Sequence, residues 1–128
     1  MENYAEFKVT VKGASSHGSA PHLGKDAVMA ASSIVLNLQT YASRVNNPLS
    51  PFTLCVGKVR GGLRFNIVAG DATLEGFMCS FSHELPEDAE EEFKQIVCST
   101  AAALGCSTEI EITRSYRQDA AAQKGEQA

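Results

Sequence analysis

The spacing of apolar residues switches between a period of two and a period near 3.6 along this chain, and the order of these switches limits the folds it can adopt. The segment AEFKVTVKG alternates strictly and predicts a half-buried strand with Phe7, Val9 and Val11 on one face. From about Lys25 to Arg44 the apolar residues recur at helical spacing, and Asn46-Asn47-Pro48 ends the helix. The predicted buried face of this helix consists of Val28, Ala31, Val35, Leu38 and Ala42.

Two further strands are predicted after this helix. The first runs from Pro51 to Val59 and ends at Arg60-Gly61-Gly62. The second is ATLEGFMCSF, residues 72–81, with Leu74 and Met78 on one face and Phe77 and Phe81 on the other. A glycine at position 76, in the middle of this strand, indicates that another backbone approaches closely there.

A second helix and a last strand complete the pattern. The helix begins at Pro86 with acidic residues in its first turns, where they suit the helix dipole. Gly105 is predicted to end it in a left-handed conformation, and Thr108 to Thr113 alternates as a strand. The predicted buried face of the second helix consists of Ala89, Phe93, Ile96, Val97, Thr100 and Leu104.

The resulting order, β-α-β-β-α-β, predicts an α+β fold. Right-handed crossovers turn that order into a ferredoxin-like two-layer sandwich, a four-stranded antiparallel sheet with two helices on one face. We expect one domain over residues 1–118 and a disordered tail over residues 119–128, which has no apolar pattern. Because many functions share this architecture, the function has to come from particular residues.

Composition excludes several classes of function. With 128 residues, 44% of them hydrophobic, the chain can form one globular core. Its formal net charge is −4 without a compensating Lys/Arg cluster, so we expect neither nucleic acid nor a membrane as partner. The N-terminus does not resemble a signal peptide, and the four cysteines form no C-x-x-C pair. We therefore expect a cytoplasmic protein whose cysteines are small buried apolar residues.

The loop SSHGSAPH, which contains His17 and His22, is the main candidate for chemistry. A metal site is not supported, because neither His83 nor the cysteines complete a known ligand spacing. The chain also has no phosphate-binding glycine motif and no G-x-S-x-G nucleophile elbow. Structural roles stay open for each candidate: His17 could bond to loop carbonyls, His22 could pack within the loop, and Asn66 could stabilise a turn.

Three motifs in a fixed order carry a resemblance to a known family: the loop G-x-x-x-HG-x-x-PH, the segment GG-x-x-FN-x-[VI] and the strand TLEG. From about Glu6 to Arg114 the chain resembles the lid, or dimerisation, domain of the aminoacylase/carboxypeptidase-type zinc metallopeptidases. The branch it resembles is that of the N-acyl-amino-acid amidohydrolases, including hippurate hydrolases.

The resemblance implies roles for several residues. His17 would reach into the active site of a partner subunit and donate a hydrogen bond to the substrate carbonyl oxygen, and Asn66 would hold the substrate backbone or carboxylate. Where the family commonly has an arginine after the TLEG strand, this chain has Cys79, which cannot bind a carboxylate in the same way. Either the complete enzyme is divergent or inactive, or the substrate carboxylate is bound elsewhere, with Arg64 as the candidate.

The resemblance also implies partners and cofactors. The chain would form a homodimer, act on acylated amino acids or small peptides only with a separate catalytic domain, and hold no cofactor itself. Because an unpaired strand at a sheet edge tends to pair, we expect Phe52–Val59 or the adjoining helix at the dimer contact. That catalytic domain would carry the divalent metal, which is zinc, manganese or cobalt.

Two alternatives belong to other functional classes. A stand-alone regulatory module with the same element order would bind a free amino acid at a subunit interface without metal. A single-stranded RNA reader would need basic and aromatic residues on the open sheet face, where the sequence places Glu6, Glu109 and Glu111.

Overall fold

The computed structural model describes residues 3–80 and 85–116 of the chain. It has four long strands, two helices and a pair of two-residue strands. The elements are β1 (Asn3–Lys12), β2 (Ser16–His17), α1 (Ala27–Thr40), β3 (Thr53–Gly61), β4 (Ile67–Val68), β5 (Asp71–Ser80), α2 (Ala89–Ala103) and β6 (Ser107–Tyr116).

The long strands form one antiparallel sheet in the order β3-β5-β1-β6, and β2 pairs with β4 in a separate small sheet. Both helices pack on one face of the large sheet. The predicted ferredoxin-like sandwich is therefore confirmed. The terminal tail, Phe81 and His83 lie outside the described residues.

The core forms where the alternating side chains of the central strands meet the helices. On β1, Phe7, Val9 and Val11 are buried, as the alternation predicted, and Ala5 is buried in addition. In register, Val9 of β1 lies between Leu74 of β5 and Ile110 of β6. Rows of paired residues alternate along the strands: one row is apolar and packs against the helices, and the next is polar and lies on the open face. The alternation in the strand sequences therefore determines which face of the sheet is covered by the helices.

The buried face of α1 differs from the prediction. Ala31 and Leu38 are buried as predicted, but Val28 is 37% exposed, and Val35 and Ala42 are only partly buried. The helix has apolar or small residues on almost every side, so its sequence fixes the buried face poorly. The buried residues along α1 and the turn after it are Ala27, Ala30, Ala31, Ile34, Leu38 and Tyr41.

The ends of α1 have distinct structures. Asp26 caps the start, because its carboxylate accepts the backbone N–H groups of Val28 and Met29 at 3.0 and 3.1 Å. At the other end the helix widens into a π-helical turn over Tyr41–Val45 and stops at Asn46, in agreement with the predicted end.

On α2, Ala89, Phe93 and Val97 are buried as predicted, and Ala101 is buried in addition. The placement of Leu104 on the buried face was wrong, since it is 43% exposed. The helix has already ended at Ala103, and Gly105 adopts the predicted left-handed conformation with φ of +81°.

The cysteines behave differently from one another. Cys79 and Cys106 are buried, as expected, and burial raises the pKa of the Cys106 thiol. Cys55 is half-buried and Cys98 is exposed, so the prediction of a buried apolar role is wrong for Cys98. Within the described ranges, no helix combines the length and apolar character that crossing a membrane requires.

Candidate functional site

Two loops that are distant in the sequence meet at one end of the large sheet. The loop after β1 and the loop before β5 are joined by a hydrogen bond from Gly13 N–H to the carbonyl oxygen of Gly70, at 2.8 Å. Beyond it, β2 and β4 pair so that His17 lies opposite Ile67. This short ladder brings the HG motif next to the FN motif, which the order of elements alone did not predict.

Gly18 makes the contact between the two motifs possible. Its backbone N–H donates to the carbonyl oxygen of Asn66 at 2.7 Å. A Cβ added at Gly18 would lie 2.8 Å from that same oxygen, closer than real Cβ atoms approach. The glycine after His17 is therefore required by the close approach of the Asn66 backbone.

The His17 side chain is exposed, and its ring is oriented by its own loop. Its Nδ1 accepts the backbone N–H of Ser19 at 3.1 Å and lies 2.8 Å from the Ser19 hydroxyl oxygen. Among the described residues no partner bonds to Nε2, so this nitrogen is left at the surface. The hydrogen bonds between Ser19 and the His17 ring were not predicted from the sequence, although a polar residue two positions after a hydrogen-bonding side chain is a familiar turn arrangement.

Asn66 and Arg64 lie on the adjoining turn. Asn66 is half-buried, and its Oδ1 is buried without a hydrogen-bond partner among the described residues. Leaving a buried acceptor without a partner costs free energy, so we expect a water molecule or a bound group at this oxygen. Arg64 is exposed, and its carbonyl oxygen accepts the N–H of Ile67 at 3.3 Å. The side chain of Phe65, between them, is fully exposed.

The remaining predicted residues lie apart from this group. His22 is exposed in a 3-10 turn over Pro21–Leu23, on the approach to α1. Cys79 is buried near the end of β5 that is remote from the loop of Asn66. The strand starts at Asp71, next to that loop, and at the usual rise per residue Asp71 and Cys79 lie about 26 Å apart. The structure thus brings together His17, Asn66 and Arg64 but not Cys79 within one copy of the domain.

The described residues do not fit a metal ion. No group of three or more His, Cys, Asp or Glu side chains in residues 3–80 and 85–116 is arranged to hold one. A catalytic zinc site uses about three protein ligands, more than these residues group together. What the site does offer is a hydrogen-bond donor or acceptor at Nε2 of His17, an amide and a guanidinium.

Comparison with known proteins adds independent findings. A family model described as "Peptidase dimerisation domain" matches residues 2–103. The N-acetyldiaminopimelate deacetylase of Bacillus cytotoxicus is 34% identical over 116 residues, which are 91% of this chain and 31% of that enzyme.

Solved structures agree with the fold. A crystal structure of a protein named as an aminohydrolase, from methicillin-resistant Staphylococcus aureus, superposes with a TM-score of 0.80 at 29% identity, covering 90% of this chain and 30% of that one. A Bacillus subtilis protein described as a dinuclear metal binding peptidase of the M20 family has the same fold, with a TM-score of 0.62 at 19% identity over 91% of this chain and 27% of its own. The chain spans less than a third of the length of these relatives.

Proposed function

This chain belongs to the peptidase dimerisation domain family, and from that premise we propose that it is the lid of a metal-dependent amidohydrolase that acts on acylated amino acids or small peptides. It would join two subunits and complete the active site of each partner. The observation that carries the proposal is the orientation of the exposed His17 side chain. Its Nδ1 bonds to Ser19 of the same loop, and its Nε2 is left at the surface.

The proposed chemistry of His17 follows from the charge that develops during amide hydrolysis. When water attacks the amide carbon, negative charge accumulates on the carbonyl oxygen. A donor already aimed at that oxygen stabilises the transition state, and losing one typically lowers the rate about 10²–10³-fold. Nε2–H of His17 would be that donor.

The other parts of the reaction are assigned to a separate catalytic domain. The described residues of this chain hold no metal-ligand cluster, so the zinc, manganese or cobalt ion would be bound there. When bound, such a metal activates a water molecule and polarises the amide. The lid itself would be inactive and would contribute binding and orientation.

Asn66 and Arg64 are proposed to bind the substrate beside His17. Asn66 would hold the substrate backbone or carboxylate, and its buried Oδ1 has no hydrogen-bond partner among the described residues. The exposed guanidinium of Arg64 is suited to a carboxylate, because its paired N–H groups match the two carboxylate oxygens. The name of the Bacillus cytotoxicus relative, a deacetylase of an acylated amino acid, supports this class of substrate.

The proposed dimer contact lies along β3. This strand is one edge of the sheet, so its outer backbone groups have no neighbouring strand among the described residues. Val59 on β3 is 52% exposed, and Val28, which lies against Gly61 at the end of the strand, is also exposed. An unpaired strand bordered by apolar side chains supports association around a two-fold axis, with Phe52–Val59 and α1 at the contact.

His17→Ala in the enzyme that carries this domain tests the proposal. We expect kcat to fall about 10²–10³-fold while the subunits still associate, because His17 would act on the transition state. His22→Ala, in the same loop, is the control and should change kcat little. Full activity of His17→Ala would contradict the proposal.

Mixed dimers test whether His17 acts across the interface. One subunit carries His17→Ala, and the other retains His17 but lacks the catalytic general base. If His17 serves the partner, the mixed dimer has one complete active site, and mixing two inactive proteins restores activity. If the mixture stays inactive while mixed dimers form, His17 does not act in the partner's site.

A further inference from the structure

The orientation of the His17 ring depends on one neighbouring residue. Two groups of Ser19 meet the ring at Nδ1: the backbone N–H at 3.1 Å and the hydroxyl oxygen at 2.8 Å. His17 and Ser19 are both exposed, so packing does not fix the ring. The backbone N–H therefore decides which nitrogen carries the proton, and the hydroxyl, which could donate or accept, would then donate to Nδ1 as well.

A backbone N–H can only donate, so the Nδ1 that receives it must present its lone pair. The neutral ring must then carry its proton on Nε2. In the opposite tautomer, Nδ1–H could donate to the Ser19 hydroxyl oxygen, but it would also face the backbone N–H of Ser19, which cannot accept. We propose that Ser19 is a positioning residue, which holds His17 in the tautomer with a proton on Nε2 and aims that N–H away from the loop. The inference deepens the proposed function of His17 and rests on it for its catalytic consequence.

The backbone around His17 supports the same arrangement. The carbonyl oxygen of His17 accepts the N–H of Ala20 at 2.9 Å, and the Ser16 hydroxyl donates to the carbonyl oxygen of Ala20 at 3.1 Å. Pairing of His17 with Ile67 fixes the other side of the loop. A donor held this way before the substrate arrives loses little freedom on binding, which is what preorganisation requires.

Ser19 is not specified by the HG-x-x-PH pattern, where it occupies the first variable position. Its backbone N–H would be supplied by any residue other than proline, whereas the hydroxyl is specific to serine or threonine. The hydroxyl contact is thus a property of this sequence, and it can be removed without removing the backbone contact.

Nitrogen NMR of the isolated chain tests the tautomer directly. Spectra are recorded at alkaline pH, where histidine rings are neutral. We expect Nδ1 of His17 to be unprotonated in nearly all molecules. His22 is the internal control, because no ring hydrogen bond to it is described and it should show a mixture of tautomers.

Ser19→Ala should shift the tautomer ratio of His17 about two- to tenfold toward Nδ1–H, the range expected for one lost hydrogen bond. Ser19→Thr, which keeps the hydroxyl, should restore the ratio. Ser15→Ala, a serine of the same loop, should leave it unchanged. A wild-type His17 with the same mixture as His22, or a Ser19→Ala ratio equal to wild type, would overturn the inference.

Kinetics of the complete enzyme separate this inference from the proposed function. Ser19→Ala should lower kcat by no more than about twofold with little change in KM, because most molecules would still carry the proton on Nε2, and it should have no further effect in a His17→Ala background. If NMR shows the Nε2–H tautomer but His17→Ala is fully active, the proposed function fails and the positioning by Ser19 stands. If the tautomers are mixed but His17→Ala is inactive, the positioning fails and the proposed function stands.

Discussion

Gly76 lies in the middle of β5 with the neighbouring strand pressed against its Cα. A Cβ at this position would overlap the carbonyl oxygen of Cys55 and lie 2.7 Å from the Phe7 ring. The register of β3 shifts opposite this point, where Gly57 is the extra residue of a bulge. The glycine of the TLEG motif is therefore required by strand packing, as its place in mid-strand predicted.

Gly76→Ala is expected to lower the free energy of unfolding by about 1–3 kcal/mol, because β3 would have to move away. Gly57→Ala is the matched control, since a Cβ there meets nothing within 4 Å, and we expect a change within about 0.5 kcal/mol. Urea denaturation followed by circular dichroism measures both. Equal denaturation midpoints for the two variants would contradict this account of Gly76.

Arg64 gives a prediction for substrate binding in the complete enzyme. If its guanidinium binds the substrate carboxylate, Arg64→Ala should raise KM for an N-acyl amino acid about tenfold or more, the loss expected for hydrogen bonds to a charged group. A substrate with an amidated carboxyl group should lose this difference. Arg44→Ala, an exposed arginine in the turn after α1, is the control. Unchanged KM values for both substrates would rule out this role.

The secondary structure elements show what a sequence can predict and what it cannot. Strands such as β1 were predicted because alternation every two residues leaves one choice of buried face. The buried face of α1 was predicted only in part: Ala31 and Leu38 are buried, but Val28 is exposed. Alanines and apolar residues surround Val28 and Val35, so burial there is decided by the sheet beneath them. The meeting of His17 with Asn66 was not predicted, because a ladder of two residues is too short to have a period.

An ion pair connects α2 to β6 and makes the link between these elements dependent on pH. Arg114 Nε donates to Glu90 Oε2 at 2.6 Å, and Lys94 lies 3.5 Å from the other carboxylate oxygen. The Arg114 hydrogen bond is the main cause that lowers the pKa of Glu90 below its ordinary value of 4.5. Because the folded pKa is the lower one, the pair stabilises the fold above pH 4.5, and this contribution is lost as pH falls through the folded pKa.

We therefore expect Glu90→Gln to destabilise the chain at pH 7 by up to about 1 kcal/mol, the usual limit for a partly exposed pair. The difference from wild type should shrink below pH 4.5 and vanish once Glu90 is protonated in the folded state. Denaturation midpoints at pH 7, 4.5 and 3 measure it. Glu91→Gln, on the same helical turn, should show no such trend, and an equal loss for Glu90→Gln at pH 7 and pH 3 would disprove the link.

For the whole molecule, the open face of the sheet favours association at an edge over association face to face. In register, one row across the four strands alternates in charge: Lys58, Glu75, Lys8 and Glu111. Lys58 and Glu75 form an ion pair at 3.4 Å. Covering this face with a second copy would remove these charges from water. The free energy of desolvation would exceed the gain from the contact unless each charge found a new partner. A second copy added beside β3 leaves the row solvated.

Light scattering of the isolated chain over a concentration series tests association through β3. We expect a dimer, and Cys55→Arg or Thr53→Pro at the β3 edge should weaken it about tenfold or more, since an added charge or a lost N–H opposes strand pairing. Thr113→Arg is the matched control: Cys55, Phe77, Glu6 and Thr113 form one row across the sheet, and Thr113 is on the opposite edge strand β6. Circular dichroism confirms that each variant is folded. A chain that stays monomeric, or a dimer that Thr113→Arg disrupts and Cys55→Arg does not, would place the contact away from β3.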